Sequence, residues 1–178
     1  FYFVQIAPYS YNDSKDILSG KFYDEQLKAS LEIPHTGMVA TVDFGEEFCI
    51  HPAEKETVAK RLSYWALSET YKIEGISYKN PVYKSLQVKD SALVVSFDNL
   101  GTGLSSFGKE LTNFEVAGED KVFYPATAKI RSKQVVLYAP EVKKPVAARY
   151  CYVNYPSGKG FLYNTAGLPV LPFRTDNW

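Results

Sequence analysis

The sequence predicts an α/β segment over residues 1–77 followed by an antiparallel β-sandwich over residues 78–178. Continuous apolar runs that alternate with helix-forming stretches predict the first part, because strands buried on both faces of a parallel sheet lack polar alternation. Short strands separated by regular turns predict the second part. Gly75 and Pro81 mark a boundary near residues 72–82.

The α/β part contains two predicted strands and two predicted helices. Apolar runs at residues 1–7 and 37–43 predict buried strands. Residues 23–32 show a short amphipathic pattern that predicts a helix. A stronger helix is predicted over residues 52–71, because apolar residues recur there at helical spacing and Pro52 favours a first helical turn.

Turn signals separate short strand patterns throughout the second part. Residues 89–91, 117–120 and 131–134 each lie between two apolar segments and predict three hairpins. Residues 146–153 predict a further strand. The tail at residues 154–178 is rich in Asn, Gly and Pro, so we expect it to wrap the surface of the β part.

The composition narrows the classes of function. Lys plus Arg and Asp plus Glu each total 20, so no basic excess favours nucleic acid or an anionic membrane surface. No apolar stretch approaches the roughly 20 residues of a membrane span. Cys49 and Cys151 lie far apart, without the clustered ligands of a structural zinc site. The 14 Tyr and 11 Phe residues suit carbohydrate contacts as well as ordinary β-structure.

His51 is the strongest candidate functional residue. It follows the second predicted strand and precedes the second predicted helix, a position that carries catalytic groups in α/β enzymes. A histidine acts as a general base when a partner orients its ring and a reactive group lies within reach. Asp43, Glu46 and Glu47 are the local carboxylates for that purpose. The alternative is a solvated histidine on a surface loop.

Other candidates are weaker. His35 lies on the turn before the second predicted strand, where a surface position is the simpler interpretation. Gln5, at the end of the first strand, could reach the same sheet edge as His51, and Cys49 could share a face with it. No Gly-x-Ser-x-Gly elbow or phosphate-binding glycine loop is present. The serines that precede His51 are Ser10, Ser14, Ser19 and Ser30.

The chain begins directly with the apolar run Phe1-Tyr2-Phe3-Val4. Chain termini are usually polar and exposed, so a buried-strand pattern at the first residue is unusual. We therefore expect a fragment, a processed subunit or a truncated form of a longer protein.

Several stretches of the chain match a known family in the family's order. They are FYFVQIAPY (1–9), IPHTGMVATVDFG (33–45), IHPAEKETVAKRLSYWAL (50–67), FEVAGEDKVFYPATAKI (114–130), KKPVAARYCYVNYP (143–156) and LYNTAGLPVLPFRTDNW (162–178). The last of these is highly specific. On these stretches the chain resembles the C-terminal half of the sialate O-acetylesterases, which are members of the SGNH/GDSL hydrolases.

The resemblance implies a serine esterase that removes O-acetyl groups from sialic acids without a cofactor. His51 stands in the family's Ile-His-Pro segment and would be the general base. The nucleophilic serine and the oxyanion hole belong to the family's N-terminal half, which would be another segment or a separate chain. Residues 1–77 would then complete a three-layer SGNH α/β domain, and residues 78–178 would be the family's C-terminal β domain.

The sequence departs from the family near the histidine. Relatives often place an aspartate two or three residues before it, where this chain has Cys49 and Phe48. Either a carboxylate among Asp43, Glu46 and Glu47 replaces that aspartate, or a backbone carbonyl orients His51 in a Ser–His pair. His35 stands where relatives often carry Asn.

Two other functions are compatible with the sequence. The missing acid favours, to a modest degree, a carbohydrate-binding module or a degenerate esterase that has lost catalysis. A further hypothesis keeps the esterase chemistry but makes the substrate an acetylated plant polysaccharide such as xylan. The family works in secretory, lysosomal or periplasmic compartments, so the resemblance implies one of these locations.

Overall fold

The computed structural model describes residues 1–11 and 18–178. Ser14, one of the serines that precede His51, lies outside the described residues. The described chain forms a small α/β part followed by a larger part that is built mainly of antiparallel sheets.

The α/β part pairs its two strands in parallel. Strand β1 (Tyr2–Val4) lies beside β2 (Gly37–Val39), so both are shorter than the predicted runs. Helix α1 (Leu18–Glu32) connects them, and α2 (Lys55–Trp65) follows β2 and continues into a π-helical turn, Ala66–Thr70. The carboxyl ends of both strands therefore point toward the loop that carries His51.

Both helices differ from the predicted bounds for identifiable reasons. Helix α1 begins earlier than residue 23, because the side chain of Asn154 accepts a hydrogen bond from the backbone of Ser19 at 3.0 Å. That acceptor comes from the distant β part and leaves no local signal. Helix α2 begins at Lys55 rather than residue 52, because Glu54 caps it by accepting from the Thr57 backbone at 3.2 Å.

The second part contains two four-stranded antiparallel sheets in the orders β3-β4-β9-β8 and β12-β10-β6-β7, together with the short pair β5–β11. The strand bounds are β3 Val82–Lys89, β4 Ala92–Asp98, β5 Leu104–Ser105, β6 Phe114–Ala117, β7 Phe123–Pro125, β8 Thr127–Arg131, β9 Gln134–Tyr138, β10 Ala147–Tyr150, β11 Tyr163–Asn164 and β12 Phe173–Arg174. The hairpins β3–β4, β6–β7 and β8–β9 lie at the three predicted turns.

A continuous apolar core joins the two four-stranded sheets. Alternate residues of β4 and β9 are buried, as expected for strands with one face toward a core. The rings of Phe114 and Tyr150 stack at 4.4 Å in one sheet, and Phe173 of that sheet stacks on Tyr83 of the other at 5.1 Å. Val42, which comes from the α/β part, belongs to the same core.

The prediction that residues 154–178 wrap the surface of the β part is wrong, because this tail contributes to the sheets and to the core. It supplies β11 and β12, and its side chains Leu162, Val170 and Phe173 are buried in the core between the sheets. The antiparallel β architecture of the second part agrees with the sequence. The described residues of the first part hold one pair of parallel strands, so the three-layer α/β domain stays a prediction. The boundary at residue 77 also stays a prediction.

Candidate functional site

His51 lies in a loop that leaves the carboxyl end of β2 and ends at α2, and we call residues 40–54 the histidine loop. Its start is anchored to the segment that follows β1. The Gln5 backbone donates to Val39 at 2.9 Å, and the Thr41 hydroxyl lies 3.1 Å from the carbonyl oxygens of both Gln5 and Ile6. The loop therefore leaves the sheet in a fixed direction.

Gln5 is buried at the start of this loop. Its side-chain oxygen lies 3.5 Å from the Thr41 backbone nitrogen, so the amide faces the first residues of the histidine loop. The sequence predicts that Gln5 lies at the same sheet edge as His51. The structure gives it a local contact that supports the loop, and a part in catalysis stays a prediction.

Asp43 forms a buried ion pair with Arg61 of α2. Two guanidinium nitrogens lie 2.8 and 2.7 Å from the two carboxylate oxygens, and one of these nitrogens also donates to the Ala40 carbonyl at 2.7 Å. The guanidinium also lies over the Phe44 ring, 5.1 Å from its centre. Because both carboxylate oxygens accept from Arg61, Asp43 fixes the loop to the helix and is less suited to orient His51.

Glu46 and Glu47 lie in a tight turn of the same loop. The Glu46 side chain accepts a hydrogen bond from the Ala53 backbone at 2.6 Å, which brings together the chain on both sides of His51. The Glu47 carbonyl accepts from the Ser10 backbone at 2.9 Å. Both side chains are exposed, so Glu46 and Glu47 are the local carboxylates with lone pairs open to solvent or to a ligand.

Cys49 does not pair with the imidazole of His51. Its sulfur lies 3.3 Å from the backbone carbonyl of His51, which makes it a support for the loop. Cys151 is also a free thiol, buried within the β part, and burial raises its pKa well above the ordinary value. Neither thiol is therefore a nucleophile paired with the His51 imidazole.

The His51 imidazole is exposed and, within the described residues, makes no hydrogen bond. Pro52 is buried directly after it, and the ammonium group of Lys55 donates to the Pro52 carbonyl. Phe48 lies nearby in the sequence with 82% of its surface exposed. An exposed imidazole on a constrained backbone can accept a proton from a hydroxyl that is brought to it.

His35 lies at the other end of the strands. It precedes β2, adopts a left-handed backbone with φ of 59°, and its carbonyl accepts from the Phe1 amino group at 2.6 Å. It lines a cavity of about 760 Å³ together with Phe1 and Trp65. The two histidines therefore lie on opposite sides of β2 in the chain, and the cavity lined by His35 does not include His51.

A second cavity, of about 290 Å³, lies between the histidine loop and the β part, and we call it the lysine cleft. Its lining includes Asp43, Gly45, Lys109, Tyr155, Lys159 and Tyr163. The sequence does not identify its β-part residues, since more than fifty positions separate them from the histidine loop and no local motif marks them.

Tyr163 connects the lysine cleft to the ion pair of the histidine loop. Burial, followed by the nearby charge of Asp43, raises the pKa of the Tyr163 hydroxyl, so that it remains a hydrogen-bond donor. Its ring packs at 5.3 Å against Phe107 in the turn before Lys109. In the part of the chain that the structure describes, no group of His, Cys, Asp and Glu side chains could hold a metal ion. Nor is any helix there long and apolar enough to cross a membrane.

The fold and the site define a β-rich protein that presents a histidine on a loop after a parallel strand. Its structure is similar to the crystal structure of a carbohydrate acetylesterase from Xanthomonas citri, with a TM-score of 0.90 and 35% sequence identity over the whole of this chain. The chain spans 41% of the length of that protein. No protein-family model matches the sequence, and no curated protein matches it.

Proposed function

We propose that this chain is the histidine-bearing part of a carbohydrate esterase that removes acetyl groups from sugars. The single observation that carries the proposal is the likeness over the whole chain, at 35% identity, to an enzyme described as a carbohydrate acetylesterase. The exposed imidazole of His51 supports it, because ester hydrolysis by a serine requires a base that is free to take a proton.

In the proposed reaction, His51 accepts the proton of a serine hydroxyl as the serine oxygen attacks the acetyl carbonyl. The protonated imidazole then gives that proton to the sugar oxygen, which leaves as the alcohol, and the acetyl group stays on the serine. His51 next takes a proton from water, whose oxygen attacks the acetyl-serine. Return of this proton to the serine oxygen releases acetic acid and restores both groups.

The nucleophilic serine is proposed to come from the N-terminal half of the same enzyme, either as a segment or as a separate chain. Exposed large apolar side chains on the α/β part support this arrangement, because a covering segment would remove them from water. Phe1, Leu31, Ile33, Phe48 and Tyr71 are all more than half exposed.

The orienting group for His51 is proposed to be Glu46, Glu47 or a backbone carbonyl. Asp43 is the weakest of the original three carboxylates, since Arg61 already binds both of its oxygens. Of the two exposed glutamates, Glu46 is held closer to the chain that follows His51 through its bond to Ala53.

The proposed substrate is an O-acetylated sialic acid, which rests on the family resemblance of the sequence, and the proposed location is secreted, periplasmic or lysosomal on the same basis. The acetylesterase likeness covers carbohydrates in general. Acetylated xylan is therefore the comparison substrate in the experiment.

The experiment measures acetate release from acetylated sialic acid and acetylated xylan, by the 178-residue chain alone and together with the N-terminal half. We expect activity only when both are present, and we expect His51→Ala to reduce it by at least 1,000-fold, as loss of a general base does. His35→Ala is the matched control and retains activity. Activity that survives His51→Ala would refute the proposed base, and glycan binding without acetate release would favour a carbohydrate-binding module.

A further inference from the structure

We propose that the lysine cleft binds the carboxylate of an acidic sugar, with Lys109 and Lys159 as the charged contacts. The proposal rests on the proposed function for the kind of ligand, a carbohydrate, and it adds the charge of that ligand and the residues that recognise it. The relevant chemistry is a carboxylated sugar, either a sialic acid or a uronic acid.

The cleft carries an uncompensated positive charge. Asp43 is its one lining carboxylate among the described residues, and that charge is already neutralised by the ion pair with Arg61. Lys109 and Lys159 line the same cleft, are exposed, and form no ion pair within the described chain. A ligand that brings one negative charge would therefore meet two unpaired ammonium groups without an opposing carboxylate.

The backbone that carries Lys159 is fixed on both sides. The Gly160 backbone donates to the Thr112 hydroxyl at 3.2 Å, and the Thr112 backbone donates to the Gly160 carbonyl at 2.9 Å. Asn113 exchanges two hydrogen bonds with Gly158, both at 3.3 Å. Because the neighbouring residues are clamped, only the side chain of Lys159 has to be ordered when a ligand binds, which lowers the entropic cost of binding.

The remaining lining suits a sugar ring. Tyr155 and Tyr163 are half-buried and present both an aromatic face and a hydroxyl, a combination that fits the apolar face and the hydroxyl groups of a saccharide. The volume of about 290 Å³ lies at the small end of ligand pockets and matches one sugar unit better than an extended chain. The cleft also includes Asp43 and Gly45, so a sugar bound there would contact the loop that carries the proposed base.

The test is calorimetric titration of the protein with four small glycosides. They are the methyl glycoside of N-acetylneuraminic acid, the methyl ester of that glycoside, methyl glucuronide and methyl glucoside. The ester keeps the sugar and removes its charge, and the two remaining compounds make the same comparison for a uronic acid. We expect the carboxylates to bind and the neutral partners to bind roughly 25-fold more weakly, since removing the carboxylate removes its attraction to both lysines, at about a factor of five each.

The decisive variant is Lys109→Gln/Lys159→Gln, which should weaken binding of the acidic sugar roughly 25-fold, about fivefold for each lysine. Lys129→Gln/Lys133→Gln on the β8–β9 hairpin removes the same net charge from another surface and is the matched control. A preference of the protein for one acid identifies which of the two sugar classes is the ligand.

Equal binding of the acids and their neutral partners, an unchanged affinity in the cleft variant, or an equal loss in the control would each overturn the carboxylate site, as would the absence of binding. Binding is measured without hydrolysis, so these results are independent of the His51→Ala assay. If His51→Ala abolishes acetate release but the titration shows no carboxylate-dependent binding, the proposed function stands and the carboxylate site in the lysine cleft is refuted.

Discussion

Arg61 and Asp43 form a two-pronged ion pair that ties the histidine loop to helix α2, with nitrogen–oxygen distances of 2.8 and 2.7 Å. The two side chains are only 6% and 8% exposed. Arg61 also binds the Ala40 carbonyl, so one guanidinium holds the loop at two points before it reaches His51. The direction in which the loop leaves β2 therefore depends on a residue of the following helix.

Breaking this pair should destabilise the protein strongly. We expect Arg61→Ala to lower the free energy of unfolding by about 3–5 kcal/mol, because Asp43 would remain buried without a partner for its charge. Urea denaturation followed by circular dichroism measures the change.

The control for Arg61→Ala is an exposed ion pair on the same helix. Glu56 and Lys60 lie 2.6 Å apart, with side chains that are 75% and 59% exposed. Solvent screens such a pair, so Lys60→Ala should leave the urea midpoint unchanged. Equal midpoints for the Arg61 and Lys60 variants would contradict a structural role for the buried pair.

Glu115 should make stability depend on pH. Burial raises the pKa of this carboxyl above its ordinary value of 4.5, although the nearby charge of Arg149 partly opposes the shift. The folded state therefore binds the proton more tightly than the unfolded state, and stability falls as pH rises from below 4.5 through the folded pKa. Glu115→Gln removes this loss, so the variant should gain stability relative to the parent on going from acidic to neutral pH.

Urea denaturation over a series of pH values tests the Glu115 prediction. Glu119→Gln, in the exposed turn after β6, controls for the loss of one surface carboxylate. Parallel stability profiles for Glu115→Gln and the parent protein would show that the burial of this carboxyl has no effect on folding.

The sequence predicts those features of the fold that depend on neighbouring residues. The hairpins β3–β4, β6–β7 and β8–β9 each combine a turn signal with flanking apolar segments, and all three are present. The pairing of β12 with β10 and of β11 with β5 has no such signal, because each joins segments far apart in the chain. The start of α1 also depends on a distant residue, Asn154, and the sequence therefore does not predict it correctly.

The candidate site also contains residues that the sequence identifies and contacts that it does not. His51 is identifiable because strand, loop, proline and helix follow one another in the sequence, and its role as a base stays a prediction. The ion pair between Asp43 and Arg61 cannot be identified from the sequence, since eighteen positions separate the two residues and an arginine on a helix is usually solvated. The lysine cleft is harder still, because it forms only when the β part packs beside the histidine loop.

Helix α1 should be coupled to the β part through Asp24 and Tyr152. The Tyr152 hydroxyl donates to the Asp24 carboxylate at 2.8 Å, and Arg174 contacts the same carboxylate at 3.1 Å. We expect Tyr152→Phe to cost about 1 kcal/mol of unfolding free energy, because it removes one hydrogen bond and keeps the ring. In an Asp24→Ala background the same change should cost much less. A double-mutant cycle by urea denaturation measures the coupling, and additive effects would rule it out.

Gly160 should tolerate no side chain, because the chain passes too close to it. A Cβ atom at this position would lie 1.6 Å from the carbonyl oxygen of Glu110, and a backbone atom held in the adjoining segment cannot move aside as a flexible side chain can. We expect Gly160→Ala to lower the free energy of unfolding by about 1–3 kcal/mol through overpacking. Gly103→Ala is the matched control, since the nearest atom to its added Cβ is a Thr165 methyl carbon at 3.9 Å. If the two alanine variants unfold at the same urea concentration, the close approach of residues 110 and 160 is absent in solution, and the fixed backbone beside Lys159 is absent with it.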